Sequence, residues 1–250
     1  TGIEEVDYII ADNNLIKENE EKLYSEKIAR LPKIWNCHSG IKLDLEVQNL
    51  PALENKYITF GCFNNSSKIS DSVIETWSQI LLKIDNSRLI IKAPNDDAQI
   101  AQENILKKFE SFNVDSAKIL FSPMEKEKKN HYKMYNKIDI SLDTFPYPGV
   151  TTSIESIWMG VPVLTLRGNN FTSRCGESIN LNLDMQDFIA ENKIDYIKKA
   201  IKICEDKENL SLIRKSLRER ALKSPLFDTE SFGKNFFELL NKIWKKYSQK

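Results

Sequence analysis

The chain has 250 residues, with 36 Lys+Arg against 36 Asp+Glu and 41% hydrophobic residues, a length and composition that suit one large domain, or one domain plus part of another. The balanced charge supplies no global field for holding nucleic acid or an anionic membrane surface, so neither is an expected partner. Apolar runs such as VPVLTL (161–166) fall far short of the ~20 residues that a membrane-spanning helix needs.

The opening TGIEEVDYII lacks the basic end, apolar stretch and cleavage site of a secretory signal, and it begins inside a strand-like pattern, as a piece of a longer chain would. Residues 1–56 contain one strand-like run, VDYIIA (6–11), then a charged helix expected around 18–30, then an irregular stretch through Pro32, Gly40 and Pro51. They read as a linker carrying the end of a preceding domain.

After residue 56 short apolar runs alternate with amphipathic segments at a period of about thirty residues, the rhythm of βαβ units. The runs YITFG (57–61), RLIIKA (88–93), AKILF (117–121), IDISL (138–142) and VPVLTL (161–166) predict five parallel strands buried on both faces. Between them, Val73, Ile74, Trp77, Ile80, Leu81 and Ile84 recur at helical spacing, as do Ile105, Leu106, Phe109 and Phe112. The expected fold is therefore α/β, a doubly wound parallel sheet whose ligands sit at the carboxyl ends of the strands. The domain divisions read from this pattern are 1–56, 57–225 and 226–250.

Beyond residue 190 only helices are expected, and the last sets Phe232, Phe236, Leu240, Ile243, Trp244 and Tyr247 on one side. That aromatic stripe needs a partner surface, either the core of this domain or a domain outside the chain. Cys37, Cys62, Cys175 and Cys204 form no CxxC pair, and His38 and His131 are the only histidines, which points to a reducing compartment and no structural zinc.

The most informative stretch is residues 138–166, where a strand ends, a Pro/Gly loop turns and a helix begins at TTSIESIW. Thr151 and Thr152 bring hydroxyls to the helix start, where backbone N–H groups lack intrahelical partners and the dipole is positive, an arrangement that suits a phosphate. Ordinary helix capping is the alternative. Gly149 allows close backbone approach or positive φ, and Pro146 and Pro148 stiffen the loop. Glu155 is either the capping-box partner of Thr152 or a carboxylate for the two hydroxyls of a ribose.

Two further segments follow strand ends. FNNSSK (63–68) offers Asn64, Asn65 and the Lys68 ammonium; SPMEKEKKNHYKMY (122–135) crowds lysines, including Lys128, ahead of His131. Charge runs of this kind ordinarily form a solvated face. Placed among cations, His131 is expected to be neutral, able to stack or hydrogen bond. The chain contains no Asp-x-Asp pair, GxSxG elbow, HExxH helix or Walker loop, which removes support for metal-dependent phosphoryl chemistry and serine hydrolysis.

Taken together, YITFGCFNNSSKI, IDISLDTFPYPGVTTSIESIWMGVPVLTLRG, SRCGES and LRERALKSPLFD resemble the C-terminal catalytic half of the O-linked N-acetylglucosaminyltransferase and Spindly-type family, over about residues 1–247. The resemblance implies the Rossmann-like C-terminal lobe of a glycosyltransferase B fold, which holds a nucleotide sugar. It also implies a facing N-terminal lobe and upstream tetratricopeptide repeats as partners, with protein Ser/Thr hydroxyls as acceptors. By the same resemblance Lys68 is the catalytic lysine on the donor diphosphate, with Asn65 beside it. His131 contacts the nucleotide, Lys128 its base, Thr151 and Thr152 the diphosphate, and Glu155 the ribose. Val150 stands where animal relatives carry a histidine.

The implied reaction is an inverting transfer to protein hydroxyls with UDP-GlcNAc as the donor, and a nucleotide sugar rather than a cofactor or metal in the site. GDP-fucose or UDP-glucose transfer is the alternative, and a non-catalytic binding or scaffold module is the alternative of another class. The implied compartment is the cytoplasm, and no general base is assigned within this chain.

Overall fold

The computed structural model describes residues 2–92, 98–122 and 125–249. Ala93, the last residue of the run RLIIKA, and Pro123 and Met124 of the lysine-rich segment lie outside the described residues.

Two strands, β1 (Tyr8–Ala11) and β2 (Lys27–Arg30), pair in parallel as a small separate sheet. The charged helix expected around 18–30 is corrected here: a short 3-10 helix covers Glu18–Leu23, and KIAR is extended. Pairing with β1 supplies backbone partners that the local charge pattern did not announce. A short helix, α1 (Pro51–Asn55), follows the irregular stretch, with Pro51 at its first position, where the missing N–H costs nothing.

The main sheet comprises β3 (Ile58–Cys62), β4 (Ser87–Lys92), β5 (Ile119–Ser122), β6 (Ile140–Leu142), β7 (Val163–Leu166) and β8 (Ile189–Ala190). All neighbours are parallel, in the order β5-β4-β3-β6-β7-β8. The five strands read from apolar runs are present, and β8 adds a sixth; at two residues it is too short to register as a run. The first connections lead outward through β4 and β5, then the chain returns to build β6, β7 and β8 on the other side. The order therefore reverses between β3 and β6, and a doubly wound sheet opens its ligand crevice at such a reversal.

Helices α2 (Asp71–Lys83), α3 (Ala98–Ser111), α4 (Lys128–Met134), α5 (Thr151–Trp158), α6 (Cys175–Leu181), α7 (Lys193–Glu205) and α8 (Lys207–Leu222) cover the sheet. Side-chain alternation divides them between two faces. Leu89 and Ile91 of β4 join Val73, Ile74, Trp77, Ile80 and Leu81 of α2, Phe109 of α3 and Tyr196 of α7. Ile90, between them, packs on the opposite face with Phe63, Met134 and Tyr135. Val163 faces Ile154 and Ile157 of α5, Ile179 of α6 and Leu217 of α8. Gly160 ends α5 with φ +74°, and a Cβ there would lie 2.6 Å from the Arg214 carbonyl oxygen, so the turn into β7 needs glycine.

The last helix, α9 (Thr229–Ser248), buries no residue fully. It flanks grooves lined by Leu31, Pro32 and Ile34, where Phe232 sits, and by Tyr8, Tyr24 and Ile28, where Leu239 and Ile243 sit. The aromatic stripe is therefore divided. Its Leu240, Trp244 and Tyr247 are exposed, at 43%, 65% and 65%, so contact with the core of this domain does not account for them.

The N-terminal segment is tied down by buried polar groups. Asp12 accepts from the Trp35 amide at 3.1 Å and from the Ser178 hydroxyl at 2.6 Å. Arg174, at the start of α6, donates to the Leu15 carbonyl and to both oxygens of Glu20. This sets Trp35 beside Phe171, ring centroids 5.3 Å apart.

Candidate nucleotide-sugar site

Two loops leave the carboxyl ends of β3 and β6, the strands on either side of the reversal. The first carries Phe63, Asn64 and Asn65 into a 3-10 turn at Ser66–Lys68, capped by the Asn65 side chain, which accepts from the Ser67 amide at 3.0 Å. The turn swings Lys68 back over the second loop. Its ammonium donates to the Pro148 carbonyl at 3.0 Å and lies 4.1 Å from the centre of the Tyr147 ring. Burial lowers the Lys68 pKa, and the Asp143 charge works in the opposite sense.

The second loop delivers Gly149 and the start of α5. Val150 occupies the cap position without a side-chain bond, so neither threonine serves as the helix cap. The helix thus opens with backbone N–H groups that no capping side chain satisfies, and with a positive dipole end. Gly149 is there for close approach rather than positive φ: a Cβ would come within 2.5 Å of Thr152 Oγ1, 2.7 Å of Ser153 Oγ and 2.8 Å of Asn64 Oδ1. The Thr152 hydroxyl in turn donates to Asn64 Oδ1.

Between the loops lies a cleft of about 480 Å³ lined by Asn64, Asn65, Lys68, Lys92, Thr151 and Thr152 on its polar side. Trp35, Val150 and Phe171 wall the other side. Two ammonium groups and a helix N-terminus facing one space make it a site for an anion.

Glu155 departs from the capping-box reading made of it. It forms no capping box; its carboxylate meets His131 Nε2 at 3.2 Å, the Tyr135 hydroxyl at 3.1 Å and the Tyr132 hydroxyl at 3.3 Å. Burial pushes this carboxyl up, but hydrogen bonds from His131, Tyr135 and Tyr132 outweigh it and hold the group below the usual carboxylate range. His131 accordingly sits against Glu155, Phe63, Tyr132 and Tyr135 rather than among the lysines, which corrects its expected cationic surroundings. Lys128 is exposed at the start of α4.

The structure thus brings Asn65, Lys68, Thr151 and Thr152 to one cleft, with Gly149 packed against Thr152 and Asn64 of its lining, and places His131 and Glu155 together. Sequence reasoning missed Lys92, Trp35, Phe171 and Tyr147 as lining residues. Lys92 ends β4, and its position at a strand's carboxyl end was the available signal; Trp35 is held at the cleft by its amide bond to Asp12 and by packing on Phe171, distant partners that no local pattern reveals. Among the described residues no three His, Cys, Asp or Glu side chains converge as a metal-holding group, and all four cysteines are free. Nor, among the described residues, is any helix long and apolar enough to cross a membrane.

A larger hollow, about 740 Å³, opens at the amino ends of β3 and β4, lined by Glu54, Tyr57, Arg88 and Lys137 among others. Arg88 there stacks on Tyr57 at 4.4 Å. In an open parallel sheet the carboxyl ends carry the ligand, and the smaller cleft is the one that gathers a helix N-terminus and cations.

Known proteins share this fold. The chain is 34% identical over 247 residues to the "Probable UDP-N-acetylglucosamine--peptide N-acetylglucosaminyltransferase SPINDLY" of Solanum lycopersicum, covering 99% of this chain and 26% of that protein. It therefore spans about a quarter of the length of that relative. A solved structure of a Thermobaculum terrenum O-GlcNAc transferase mutant superposes with a TM-score of 0.86 at 27% identity, covering 97% of this chain and 46% of that one. The sucrose-phosphate synthase of Thermosynechococcus elongatus shares the fold alone, with a TM-score of 0.67 at 14% identity over 97% of this chain and 60% of that one. These are glycosyltransferase B folds, and the sheet described above is their Rossmann-like lobe. The model of glycosyl transferase family 41 matches residues 37–236, which takes in every strand of the main sheet and both site loops, and the chain belongs to that family.

Proposed function

We propose that this chain is the donor-binding lobe of an inverting glycosyltransferase that carries N-acetylglucosamine from UDP-GlcNAc to Ser or Thr hydroxyls of proteins. The observation that carries the reading is the cleft at the strand-order reversal, where Lys68 and the N-terminus of α5 face one space. The names borne by the relatives described above supply the sugar and the nucleotide.

In the proposed reaction an acceptor hydroxyl attacks the anomeric carbon as the sugar–phosphate bond breaks, and the bonding pair leaves with the nucleoside diphosphate. The acceptor proton goes to a base that is none of the residues assigned here. Negative charge grows on the diphosphate during this step, so Lys68 and the α5 amides bind the transition state more strongly than the ground state. Lys68 would release the Pro148 carbonyl to reach the diphosphate. Thr151, Thr152 and Asn65 line its path, Glu155 and His131 stand at the ribose and nucleotide, and Lys128 at the base. The compensating charges are the chain's own, and the reading requires no metal.

A GDP-fucose donor is the second reading. It is favoured by the apolar wall of Trp35, Val150 and Phe171, which suits a sugar bearing a methyl group where GlcNAc has a hydroxymethyl. Residues 1–56 and α9, which flank each other, form the seam toward a facing lobe; tetratricopeptide repeats and a cytoplasmic location belong to the same proposal for the whole protein. Calorimetric titration of this chain with UDP, UDP-GlcNAc, GDP and GDP-fucose, followed by transfer assays on the full-length protein, tests the reading. Binding of UDP and UDP-GlcNAc with transfer to a protein hydroxyl is expected. Preference for the guanine pair selects the second reading, and binding of none rejects both.

A further inference from the structure

Asp143 follows β6 directly and is 1% exposed, beneath the loop that carries Gly149. Four donors converge on it. Oδ1 accepts from the amides of Gly149 at 2.7 Å and Thr144 at 3.0 Å and from Asn64 Nδ2 at 3.1 Å; Oδ2 accepts from the Thr165 hydroxyl at 2.9 Å. An ionised carboxylate only accepts, so Asn64 must turn its NH₂ inward and its carbonyl oxygen outward. The neighbouring hydroxyl agrees with this orientation: Thr144 Oγ1 donates to the Tyr147 carbonyl at 2.8 Å and is left to accept from Asn64 at 3.2 Å. The outward oxygen of Asn64 then takes the hydrogen of the Thr152 hydroxyl.

We infer that Asp143 is the positioning residue of the anion cleft: through Asn64 it fixes the direction of the Thr152 hydroxyl, and through the Gly149 amide it seats the loop ahead of α5. This rests on the donor-site reading above and deepens it. The two threonines are then unequal. The Thr152 hydrogen is committed to Asn64, leaving oxygen lone pairs toward the cleft, so its hydroxyl braces the cradle. The exposed Thr151 hydroxyl and the helix amides are the groups directed at a phosphate.

The arrangement is tightest with a charged Asp143. A proton fits only on Oδ2, with the Thr165 hydroxyl turned round to accept it, and the neutral oxygen left at Oδ1 then holds Gly149, Thr144 and Asn64 by weaker bonds than a carboxylate makes. The ionisable groups facing Asp143 are Lys68 from the first loop, Cys62 from β3, Cys175 from α6 and Tyr196 from α7, whose hydroxyl donates to the Asp143 backbone carbonyl at 3.1 Å. Burial pushes the carboxyl up to about 6, against the hydrogen bonds from Gly149, Thr165, Asn64 and Thr144 that favour its charge. The protonation therefore falls inside an ordinary titration.

The test follows the Gly149 amide and the Asn64 side-chain NH₂ by NMR between about pH 5 and pH 8, with UDP and inorganic pyrophosphate affinities measured over the same range. In the wild type both signals are expected to move with one midpoint near 6, while UDP affinity falls about tenfold toward acid, the worth of one hydrogen bond to a charged group. Asp143→Asn is able to keep the fold, because its oxygen still accepts from Gly149 and Thr144 while its NH₂ turns to Thr165. It is expected to abolish both midpoints and leave UDP affinity low at every pH. Thr151→Val should weaken pyrophosphate binding directly, whereas Thr152→Val should also shift the Asn64 signal.

Gly149 and Asn64 signals that stay flat in the wild type, or that titrate unchanged in Asp143→Asn, overturn the inference. A wild type that shows the shared midpoint yet binds neither UDP nor pyrophosphate supports the relay and overturns the donor-site reading instead.

Discussion

β6 is three residues long and has a buried aspartate at each end, Asp139 before it and Asp143 after it, at 0% and 1% exposure. Burial pushes both carboxyls above their ordinary range. Their partners differ. Asp139 accepts from the amides of Ala52 at 2.8 Å and Thr59 at 2.7 Å, joining α1 and β3 to the amino end of the strand, with buried Arg214 beyond it. Arg214 spends its own donors on carbonyls, reaching Gln48 and Ile138 at 2.8 Å each. All of these are fixed parts of the framework. Asp143 holds a loop, an amide and, through the amide, a hydroxyl that borders open space. The same residue type at the same depth closes the fold at one end of the strand and prepares a surface for a ligand at the other.

The comparison is tested hardest by Asp139→Ala. It would orphan two buried amides, each worth about 1–3 kcal/mol, so a loss of about 2–6 kcal/mol in chemical denaturation is expected. Nucleotide affinity of the fraction that stays folded should be unchanged. A variant of near-normal stability with weakened UDP binding would reverse the roles assigned to the two ends.

Lys68→Ala addresses the opposite end. Removing one preorganised cation from a developing charge costs about 100–1,000-fold in turnover, and that loss is expected in the full-length protein with little change in denaturation midpoint. Near-normal turnover would remove Lys68 from the catalytic role. Burning the same side chain back to alanine also frees the Pro148 carbonyl, so a large stability loss would mean that the lysine serves the loop rather than the donor.

The two ends also differ in how much of each was legible. Strands β3 to β7 announce themselves as apolar runs because they lie largely buried, although the edge strand β5 leaves Leu120 exposed and so departs from the expected burial on both faces, and the helices between them by their periodic apolar positions. β2 does not, since KIAR lies in a charged stretch whose extended form depends on β1, and β8 has only two residues. The single stripe read for α9 is corrected too: Phe232 and Ile243 face the grooves with Leu239, while Leu240, Trp244 and Tyr247 are exposed, because the helix carries apolar positions on more than one side. Lys68, Gly149, Thr151 and Thr152 were legible from loops that follow strand ends. The relay beneath them was not: Asn64 and Asp143 are 79 positions apart, and no local spacing joins residues that meet only when the strand order reverses. For the same reason Glu155 was read against Thr152, three residues away, when its partners come from α4.

A smaller effect distinguishes glycines that serve the site from glycines that serve nothing nearby. Gly149→Ala drives a methyl into Thr152, Ser153 and Asn64, and overpacking of this kind costs about 1–3 kcal/mol. UDP affinity should fall with it, because Thr152 must move. Gly233→Ala, in α9 with nothing within 4 Å of the added Cβ, should instead gain about 0.5–1 kcal/mol from helix propensity. Equal responses at the two positions would mean that the loop yields to the methyl and that the cradle is not held as tightly as its contacts indicate.

The smallest expected effect concerns the tether that brings Trp35 to the cleft. The Arg174 guanidinium holds the Glu20 carboxyl down to about 2, from an ordinary 4.5, with one of the two bonds at 2.7 Å. Because the folded-state value is depressed, the stabilisation is fully present above pH 4.5 and is lost as pH falls through about 2. Glu20→Gln should cost about 1 kcal/mol at neutral pH, and the gap between variant and wild type should close on acidification below 4.5. Asp143 has the opposite sign: its raised carboxyl contributes stability that is present below its ordinary 3.8 and is lost as pH rises through about 6. Denaturation midpoints of Glu20→Gln and Asp143→Asn, each followed against wild type across this range, should therefore diverge in opposite directions. Parallel curves would show that the tether and the cradle are not the separate electrostatic units their contacts describe.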